Sequence, residues 1–415
     1  MRKCKTLLAA FCAAFAAHAA VEWRPSALEI SSWNTVMPKS ETGRDAVFSP
    51  VGFGMTVAIL GEGIGGAARA DMAESLGLIS DFSVPFAQVL KSYTAANLSN
   101  RVSITIGTSL WSSKKRAFST DYVLTIQRNF EAEAGLLRDV LPVNVWTETK
   151  TEGRIVDVVK EMPKKVETLL VNAVAFEGAW RKPFDDEKGR SVDFTRPDGT
   201  KAKVRLMRTV CPLVRVERER YTAAKAEFAA RGMSFVVVLP SEGVSLAELR
   251  EKDLTSDGVD ELKALFRARS GDGVTYSRSQ FALPAFTIRS DWRLDSALRA
   301  TKVPRTGFDR MGEGVFTVDD VRQAAYISIS GKGYSLTPGM EPEPPAPSAR
   351  KGRGELAKAE GDDDESANDT SAGAPFVCNR PFVFFVWDGL TDTLVLAGQY
   401  TGSELTTKHQ KENRK

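Results

Sequence analysis

Runs of apolar residues along the chain predict buried β-strands. Thr168–Ala175 (TLLVNAVA) and Ser234–Leu239 (SFVVVL) are short and almost continuously apolar, which is typical of strands covered on both faces. Ala325–Ser330 (AYISIS) instead alternates with a period of two and ends at Gly331. These segments predict a fold in which sheets bury much of the chain.

Helical and hairpin patterns accompany these strands. Thr147–Lys160 predicts the end of an amphipathic helix. Near the C-terminus, Phe382–Trp387 and Leu394–Ala397 flank the turn Asp388-Gly389, which predicts a hairpin. The sequence has no internal repeat, and the mixture of patterns predicts an α+β fold.

The segment Glu341–Pro375 differs in composition from the rest of the chain. It contains no aromatic residue, and Leu356 is its only large aliphatic residue. Its start is rich in proline, its middle is basic and Asp362–Glu365 is acidic. So few apolar side chains cannot offset about 1–2 kcal/mol per ordered residue. We therefore expect an exposed, mobile loop that interrupts the fold, because strand-like sequence resumes at Phe376.

Two interpretations compete over the glycine-rich residues 61–66 (GEGIGG). They fit the pattern G-x-G-x-x-G after an apolar run at 51–60, and Asp81 has nearly the spacing of a ribose-binding acid. A dinucleotide site is therefore one alternative. However, Ser49-Pro50 is a favourable helix start, which predicts a helix over 51–60 and makes the glycines its terminator and a loop.

Histidine is scarce in this chain. Among 415 residues there are only His18 and His409, and both lie outside the expected folded body. The sequence therefore argues against a Ser-His-Asp or Cys-His nucleophile, a His-ligated zinc site and a histidine general base. We therefore expect no enzymatic activity.

The first 20 residues predict an export signal. Basic residues precede an apolar run at Leu7–Ala17 and the cleavage motif Ala-His-Ala at 17–19. This run is shorter than the roughly 20 residues that a membrane span needs. Removal of the signal's three basic residues lowers the 56 Lys+Arg to 53, the number of Asp+Glu. A neutral mature chain is not expected to bind nucleic acid. Cys211 and Cys378 remain, and whether they pair stays open.

Several segments, in the same order along the chain, are similar to the serpin family of serine protease inhibitors. The most specific match is Leu169–Trp180 (LLVNAVAFEGAW), followed by Lys182-Pro183-Phe184. The resemblance runs from about residue 25 to residue 402. The other matching segments are Val47–Pro50 (VFSP) with the apolar helix after it, Asn144–Ile155 (NVWTETKTEGRI), Phe235–Pro240, Leu283–Phe286 (LPAF) and Asn379–Phe382 (NRPF).

The resemblance implies a single domain of the α+β class, with about eight or nine helices, three mainly antiparallel β-sheets and a long exposed reactive loop. The chain then divides into a signal peptide at 1–20, a serpin-like domain at 21–402 and a polar tail at 403–415, with the hinge and loop at 331–378. In inhibitory serpins a protease attacks this loop and forms an acyl-enzyme. The cleaved loop then inserts into the main sheet before hydrolysis is complete.

The resemblance also assigns residues to the region where the main sheet opens. Gln323 stands where the family commonly has histidine, and Gly331 and Ala285 replace a Glu–Lys pair near the hinge. Because both charges are absent together, no buried charge is left unpaired. Trp180 and Asn172 also have a plainer interpretation, as a core aromatic and a buried amide. The assigned residues of the sheet-opening region are Ser49, Asn172, Trp180 and Gln323.

The expected hinge departs from the small residues that inhibitory serpins have there. After Gly331 and Gly333 it contains Tyr334, Leu336 and Pro338. Tyr334 falls where the first inserted residue enters the sheet. Proline lacks the N–H that a central strand needs. The sequence therefore predicts poor loop insertion.

The position of the reactive bond stays open. Counting forward from Gly333 at the usual family spacing places it at Pro347-Ser348, whereas counting back from Asn379 places it at residues 370–371. The loop therefore carries an insertion. A cut after a basic residue would suit a trypsin-like protease, and the candidate residues are Arg350, Lys351 and Arg353.

The resemblance implies a secreted protein, extracellular or periplasmic, that inhibits serine or alternatively cysteine endopeptidases as a suicide substrate. Its expected partner is the target protease. We expect a monomer, with no nucleic acid and no membrane association after removal of the signal. The alternative is a non-inhibitory serpin that acts as a binding protein, which Tyr334, Leu336 and Pro338 favour.

Overall fold

The described part of the chain forms nine helices and sixteen strands. The computed structural model describes residues 26–37, 43–75, 82–113, 116–161, 166–314, 316–331, 333 and 373–403. The helices are α1 (Ser26–Val36), α2 (Pro50–Glu62), α3 (Gly66–Ser75), α4 (Ser83–Leu98), α5 (Thr120–Phe130), α6 (Leu141–Lys150), α7 (Leu246–Lys252), α8 (Ser256–Ala268) and α9 (Asp295–Ala300). The strands are β1 (Ala46–Phe48), β2 (Val102–Ser112), β3 (Glu133–Leu136), β4 (Thr168–Gly178), β5 (Asp185–Thr195), β6 (Lys201–Glu217), β7 (Tyr221–Glu227), β8 (Met233–Pro240), β9 (Val274–Pro284), β10 (Phe286–Arg293), β11 (Thr306–Phe308), β12 (Phe316–Thr317), β13 (Asp320–Ile329), β14 (Gly373–Val377), β15 (Phe382–Asp388) and β16 (Thr393–Tyr400).

The strands of the described ranges form three sheets. The largest has the order β1-β16-β15-β8-β7-β6-β9-β14, with β5 paired to β6. A five-stranded sheet has the order β10-β13-β4-β2-β3, and β11 pairs with β12. Neighbouring strands are antiparallel except in the pairs β2/β3, β4/β13 and β9/β14. The prediction of an α+β fold with about eight or nine helices and three mainly antiparallel sheets is therefore confirmed.

Helix α2 decides between the two interpretations of residues 61–66. The Ser49 hydroxyl caps its N-terminus by accepting a hydrogen bond from the Gly52 N–H (3.0 Å), and the whole helix is buried. The dinucleotide alternative needs a strand here and is therefore excluded. Packing explains two of the glycines, since a Cβ at position 61 would lie 2.8 Å from the Phe82 ring and one at 63 would lie 2.7 Å from Met311.

Helix α6 is shorter than the sequence predicts, because it ends at Lys150 rather than near Lys160. The backbone turns at Glu152 and Gly153, which both have positive φ angles. The Thr151 hydroxyl accepts a hydrogen bond from the Ile155 N–H (3.0 Å). In a longer helix this N–H would instead donate to the Thr151 carbonyl. The chain then continues through residues 155–159 without helical structure.

Two apolar clusters cover the two faces of the five-stranded sheet. The main core packs on the inner face, where Leu170 of β4 pairs with Val321 of β13 and Val174 pairs with Ala325. Because side chains alternate along a strand, the intervening residues of β4 face the opposite side. There the second cluster combines α6 and residues 155–159 with the sheet, and its buried members are Trp111, Leu137, Val143, Ile155, Val158, Val159, Leu169, Val171, Ala173 and Ala324.

Candidate functional site: a closed seam between two parallel strands

Strands β4 and β13 lie side by side in parallel, and we call this pair the β4–β13 seam. Its register runs from Leu169 opposite Asp320 to Glu177 opposite Ser328. Beyond the seam, β4 is antiparallel to β2 and β13 is antiparallel to β10. One additional strand, running antiparallel to both β4 and β13, would make this part of the sheet alternate in direction throughout. A chain that leaves β13 and turns back has the direction that such a strand requires.

A group of buried amides, here called the amide latch, holds the seam closed on its inner face. The Gln323 Nε2 donates to Asn172 Oδ1 (3.0 Å) and to the Ser49 carbonyl (2.9 Å), while Gln323 Oε1 accepts from the Ser49 N–H (2.8 Å). Asn172 Nδ2 donates to the Gly107 carbonyl (3.1 Å) and to Thr108 Oγ1 (3.0 Å). The latch therefore joins β2, β4, β13 and the start of α2. Opening the seam separates Gln323 from Asn172, and a buried polar group left unpaired costs about 1–3 kcal/mol.

Trp180 lies at the end of the seam where the chain leaves β13, and it binds the backbone there. Its indole Nε1 donates to the Ser330 carbonyl (2.9 Å), and its ring stacks on Phe228 with centroids 4.7 Å apart. Gly333 has a φ of 70°, and a Cβ there would lie 2.4 Å from the Ala179 Cα. The chain that leaves β13 therefore crosses the end of β4 in contact with its backbone, which only glycine allows.

The two positions where the family has a charged pair are uncharged and lie at this same end. Gly331 is buried beside the Trp180 contact. Ala285 immediately precedes Phe286, which pairs with Ile329 in the last register pair of β10 and β13. The structure therefore has neither of the two charges at this point of the hinge.

A polar cluster closes the outer face of the seam. Arg154, which follows α6, contacts Glu177 of β4 (3.1 Å) and Glu152 (2.7 Å). Tyr326 of β13 donates from its hydroxyl to Glu177 Oε1 (3.3 Å). Burial alone would lower the pKa of the Arg154 guanidinium, but the hydrogen bonds and charges of the two glutamates together raise it. Arg154 thus attaches the segment after α6 to β4, and the Tyr326 hydrogen bond connects the same glutamate to β13.

Many of the sequence-based candidates fall outside the described residues. For the hinge these are Tyr334, Leu336 and Pro338. For cleavage they are Pro347, Ser348, Arg350, Lys351 and Arg353. The signal peptide at 1–20, Asp81, His18, His409 and residues 404–415 also lie outside the described ranges.

Cys211 and Cys378 are free and buried. Burial raises the pKa of Cys211 to about 11 and also raises that of Cys378, so both thiols stay protonated at neutral pH. In the described ranges, no group of three or more His, Cys, Asp and Glu residues could hold a metal ion. No helix in those ranges has the length and apolar character of a membrane span.

Comparison with known families decides the identity of this fold. The sequence model described as "Serpin (serine protease inhibitor)" matches residues 34–402. The chain belongs to the serpin family. The resemblance found in the sequence is therefore confirmed, and family membership supports a protease-inhibitor-like function for this serpin.

The similar proteins agree on the fold and diverge widely in sequence. Serpin B3 of Homo sapiens is 25% identical over 269 residues, which cover 62% of each chain. Serpin B9 of Homo sapiens is 30% identical over 161 residues, covering 38% of this serpin and 41% of that protein. The chain thus spans less than two thirds of either relative. The native-state crystal structure of the thermophilic serpin tengpin matches with a TM-score of 0.74 at 20% identity, over 91% of this chain and 93% of tengpin.

Sequence reasoning missed several contacts of the site. Arg154 and Glu177 are 23 residues apart in sequence, and the alternation of β4 places Glu177 outward without naming a partner. The backbone contact between Gly333 and Ala179 likewise has no sequence signal beyond the glycine itself. The amide latch was partly accessible, since the resemblance assigned Ser49, Asn172 and Gln323 to one region of the sheet.

Proposed function

We propose that this serpin is exported and inhibits serine endopeptidases as a suicide substrate. The observation that supports this most directly is the closed β4–β13 seam, with the chain leaving β13 at its end. The protease serine would attack a loop carbonyl carbon, form an ester and release the amine of the following residue. The cleaved loop would then enter the seam antiparallel to both strands.

Insertion of the loop requires specific changes in this chain. The contact between Gln323 and Asn172 must separate, because the new strand passes between them. The hydrogen bond from Tyr326 to Glu177 must also break, because it crosses the seam on the outer face, where Arg154 holds the segment after α6 against that glutamate. In return, the inserted backbone gains ladder hydrogen bonds on both edges.

The hinge sequence is the reason to propose that this inhibition is inefficient. Both faces of the seam are covered by apolar clusters, so side chains of an inserted strand meet packed residues on either side. Overpacking by large residues such as Tyr334 and Leu336 costs about 1–3 kcal/mol. Pro338 has no N–H, so its insertion would leave a carbonyl of a neighbouring strand without a hydrogen-bond donor. Slower insertion lets water hydrolyse the acyl-enzyme and release active protease.

The alternative is a non-inhibitory serpin that acts as a binding protein. The same three hinge residues support it, since a scaffold without insertion has no need for small residues there. For the inhibitory function, Arg350, Lys351 and Arg353 favour a trypsin-like target, whereas the spacing from Gly333 favours Pro347-Ser348. We also propose a monomer that acts without a metal, a cofactor or catalysis of its own.

Incubation with trypsin-like and elastase-like proteases, followed by denaturing electrophoresis, tests the proposal. We expect a minor covalent complex beside a larger amount of cleaved serpin. The matched variant replaces Tyr334, Leu336 and Pro338 with Thr, Ala and Ala, and should raise the share of complex severalfold. If neither protein forms a covalent complex with any of the proteases, the inhibitory function is wrong and the binding protein is favoured.

A further inference from the structure

Four cationic side chains line one surface cavity between β5, β6 and β9. The cavity has a volume of about 590 Å³. Asp185 is the one acidic residue among the lining side chains that the structure describes. Those side chains therefore carry a net positive charge. Its cations are Lys182, Arg190, Arg208 and Arg278.

These cations lack partners among the side chains that the structure describes. None of the four forms a side-chain hydrogen bond or an ion pair with another described residue, and the Nε of Arg208 is buried without an acceptor. The neighbouring Arg181 and Arg269 differ, because both pair with Glu227. A buried donor without an acceptor is costly, so an anionic group placed in this cavity would gain hydrogen bonds as well as charge attraction.

The cavity lies between the two ends of the reactive loop. On one side, Gly333 contacts Ala179, three residues before Lys182. On the other side, Gly373 pairs with Ser279, the residue after Arg278. A protein that cuts the loop therefore acts on a segment that is attached to the fold close to this cavity at both ends.

The rim of the cavity favours a protein partner over a flexible polyanion. Val210 and Tyr276, on β6 and β9, are each about half exposed, at 49% and 50%. Val210 belongs to the cavity lining, and Tyr276 lies two residues from Arg278 on the same strand face. Exposed apolar side chains beside cations match a folded surface that carries carboxylates and apolar groups.

We propose that this cavity docks an acidic surface of the protease that attacks the loop, so that this serpin reacts preferentially with acidic proteases. The proposal rests on the proposed function, since it assumes that a protease is the loop's partner. Opposite charges steer an encounter and raise its rate without changing the chemistry of the cut. The preference should therefore appear in the association rate and disappear at high salt.

Anionic and cationic trypsin provide the test, because both cut after Arg and Lys and they differ in net charge. The double variant Lys182→Glu, Arg278→Glu is compared with Lys91→Glu, Arg128→Glu, which changes the same residue types in a different surface cavity, between α4 and α5. The measured quantity is the second-order rate constant for consumption of the intact loop. It counts cleavage and complex formation together, so it stays defined even if the serpin does not inhibit.

For anionic trypsin, the Lys182/Arg278 variant should be consumed about tenfold more slowly at low salt, and the control variant less than twofold more slowly. The difference should vanish at about 1 M salt, where the screening length is about 3 Å. Equal slowing by both variants, or equal rates with the two trypsins, would overturn the proposal. It is also overturned if the Lys182/Arg278 variant loses retention on immobilised heparin with unchanged protease rates, because the cavity would then bind a polysaccharide.

Discussion

The side chain of Gln323 makes three of the hydrogen bonds that hold the seam closed. Its single amide contacts Asn172 of β4 and both backbone groups of Ser49, and all of these groups are buried. Truncation would leave a donor and two acceptors without partners in the core. The residue therefore couples the stability of the fold to the closed position of β4 and β13.

We predict that Gln323→Ala lowers the free energy of unfolding by about 2–3 kcal/mol, since it leaves buried polar groups unpaired. Chemical denaturation of the mature protein measures this change. Gln127→Ala, at an exposed position on α5, is the matched control and should change stability by less than about 0.5 kcal/mol. Equal stabilities of the two variants would show that the latch does not hold the seam.

Glu29 is a second buried residue, and its carboxyl group makes the stability of the fold depend on pH. On α1, its Oε1 accepts from the Leu394 N–H (3.0 Å), and its Oε2 lies 3.8 Å from Lys263 Nζ on α8. Burial raises the pKa of Glu29 to about 7, against the opposing effect of Lys263. The nearby charges of Asp392 and Asp260 raise this pKa further. The carboxyl therefore binds its proton more tightly in the folded chain than in the unfolded one.

A raised carboxyl pKa stabilises the fold below the unfolded value of about 4.5, and this contribution is lost as the pH rises through about 7. We predict that Glu29→Gln removes this loss. Between about pH 5 and pH 8, the unfolding free energy of the wild type should fall more steeply than that of the variant. The exposed Glu251→Gln on α7 is the control, and parallel curves for wild type and Glu29→Gln would contradict the prediction.

At the scale of elements, sequence patterns predicted strands better than helix ends. β4, β8, β13 and the β15–β16 hairpin follow from apolar runs, because their burial is encoded locally by alternation or continuity. The predicted end of α6 was wrong. The helix stops at Thr151 and Gly153, but the apolar spacing continues to Val159, which packs on the sheet in a non-helical segment. Periodicity reports burial and does not distinguish a helix from a chain lying on a sheet.

Limited proteolysis tests the prediction for the loop element. We predict that brief trypsin treatment cuts first within Glu341–Pro375, at Arg350, Lys351 or Arg353, because this segment is poor in apolar residues and offers trypsin these basic residues. The C-terminal fragment should stay bound after the cut, since its strand β15 lies between β8 and β16 in the large sheet. Mass spectrometry of the first products checks this, and a first cut elsewhere with the loop intact would contradict it.

For the whole molecule, segment matches in the right order predicted the serpin architecture. The cationic cavity could not be predicted from the sequence. Lys182 and Arg278 are almost 100 residues apart, and each is an ordinary basic residue in its own strand or turn. The pairing of β5 with β6 and of β6 with β9 brings such residues together. Long-range charge clusters depend on topology, which local patterns do not contain.

A closed seam between β4 and β13 adjoins a hinge sequence that is poorly suited to enter it. A cut loop that inserts adds a central strand to the sheet, with hydrogen bonds on both edges, and should make the protein far more resistant to heat. A cut loop that stays outside leaves the seam and its amide latch as they are in the intact protein. The two outcomes therefore differ strongly in thermal stability.

The melting temperature of the protein, measured before and promptly after a single loop cut, tests directly whether the cut loop enters the seam. We predict a change of only a few degrees, because Tyr334, Leu336 and Pro338 hinder entry into the seam. The hinge variant with Thr, Ala and Ala at these positions should instead gain heat resistance after the same cut. A gain of tens of degrees in the wild-type protein would contradict the account and show that its hinge inserts readily.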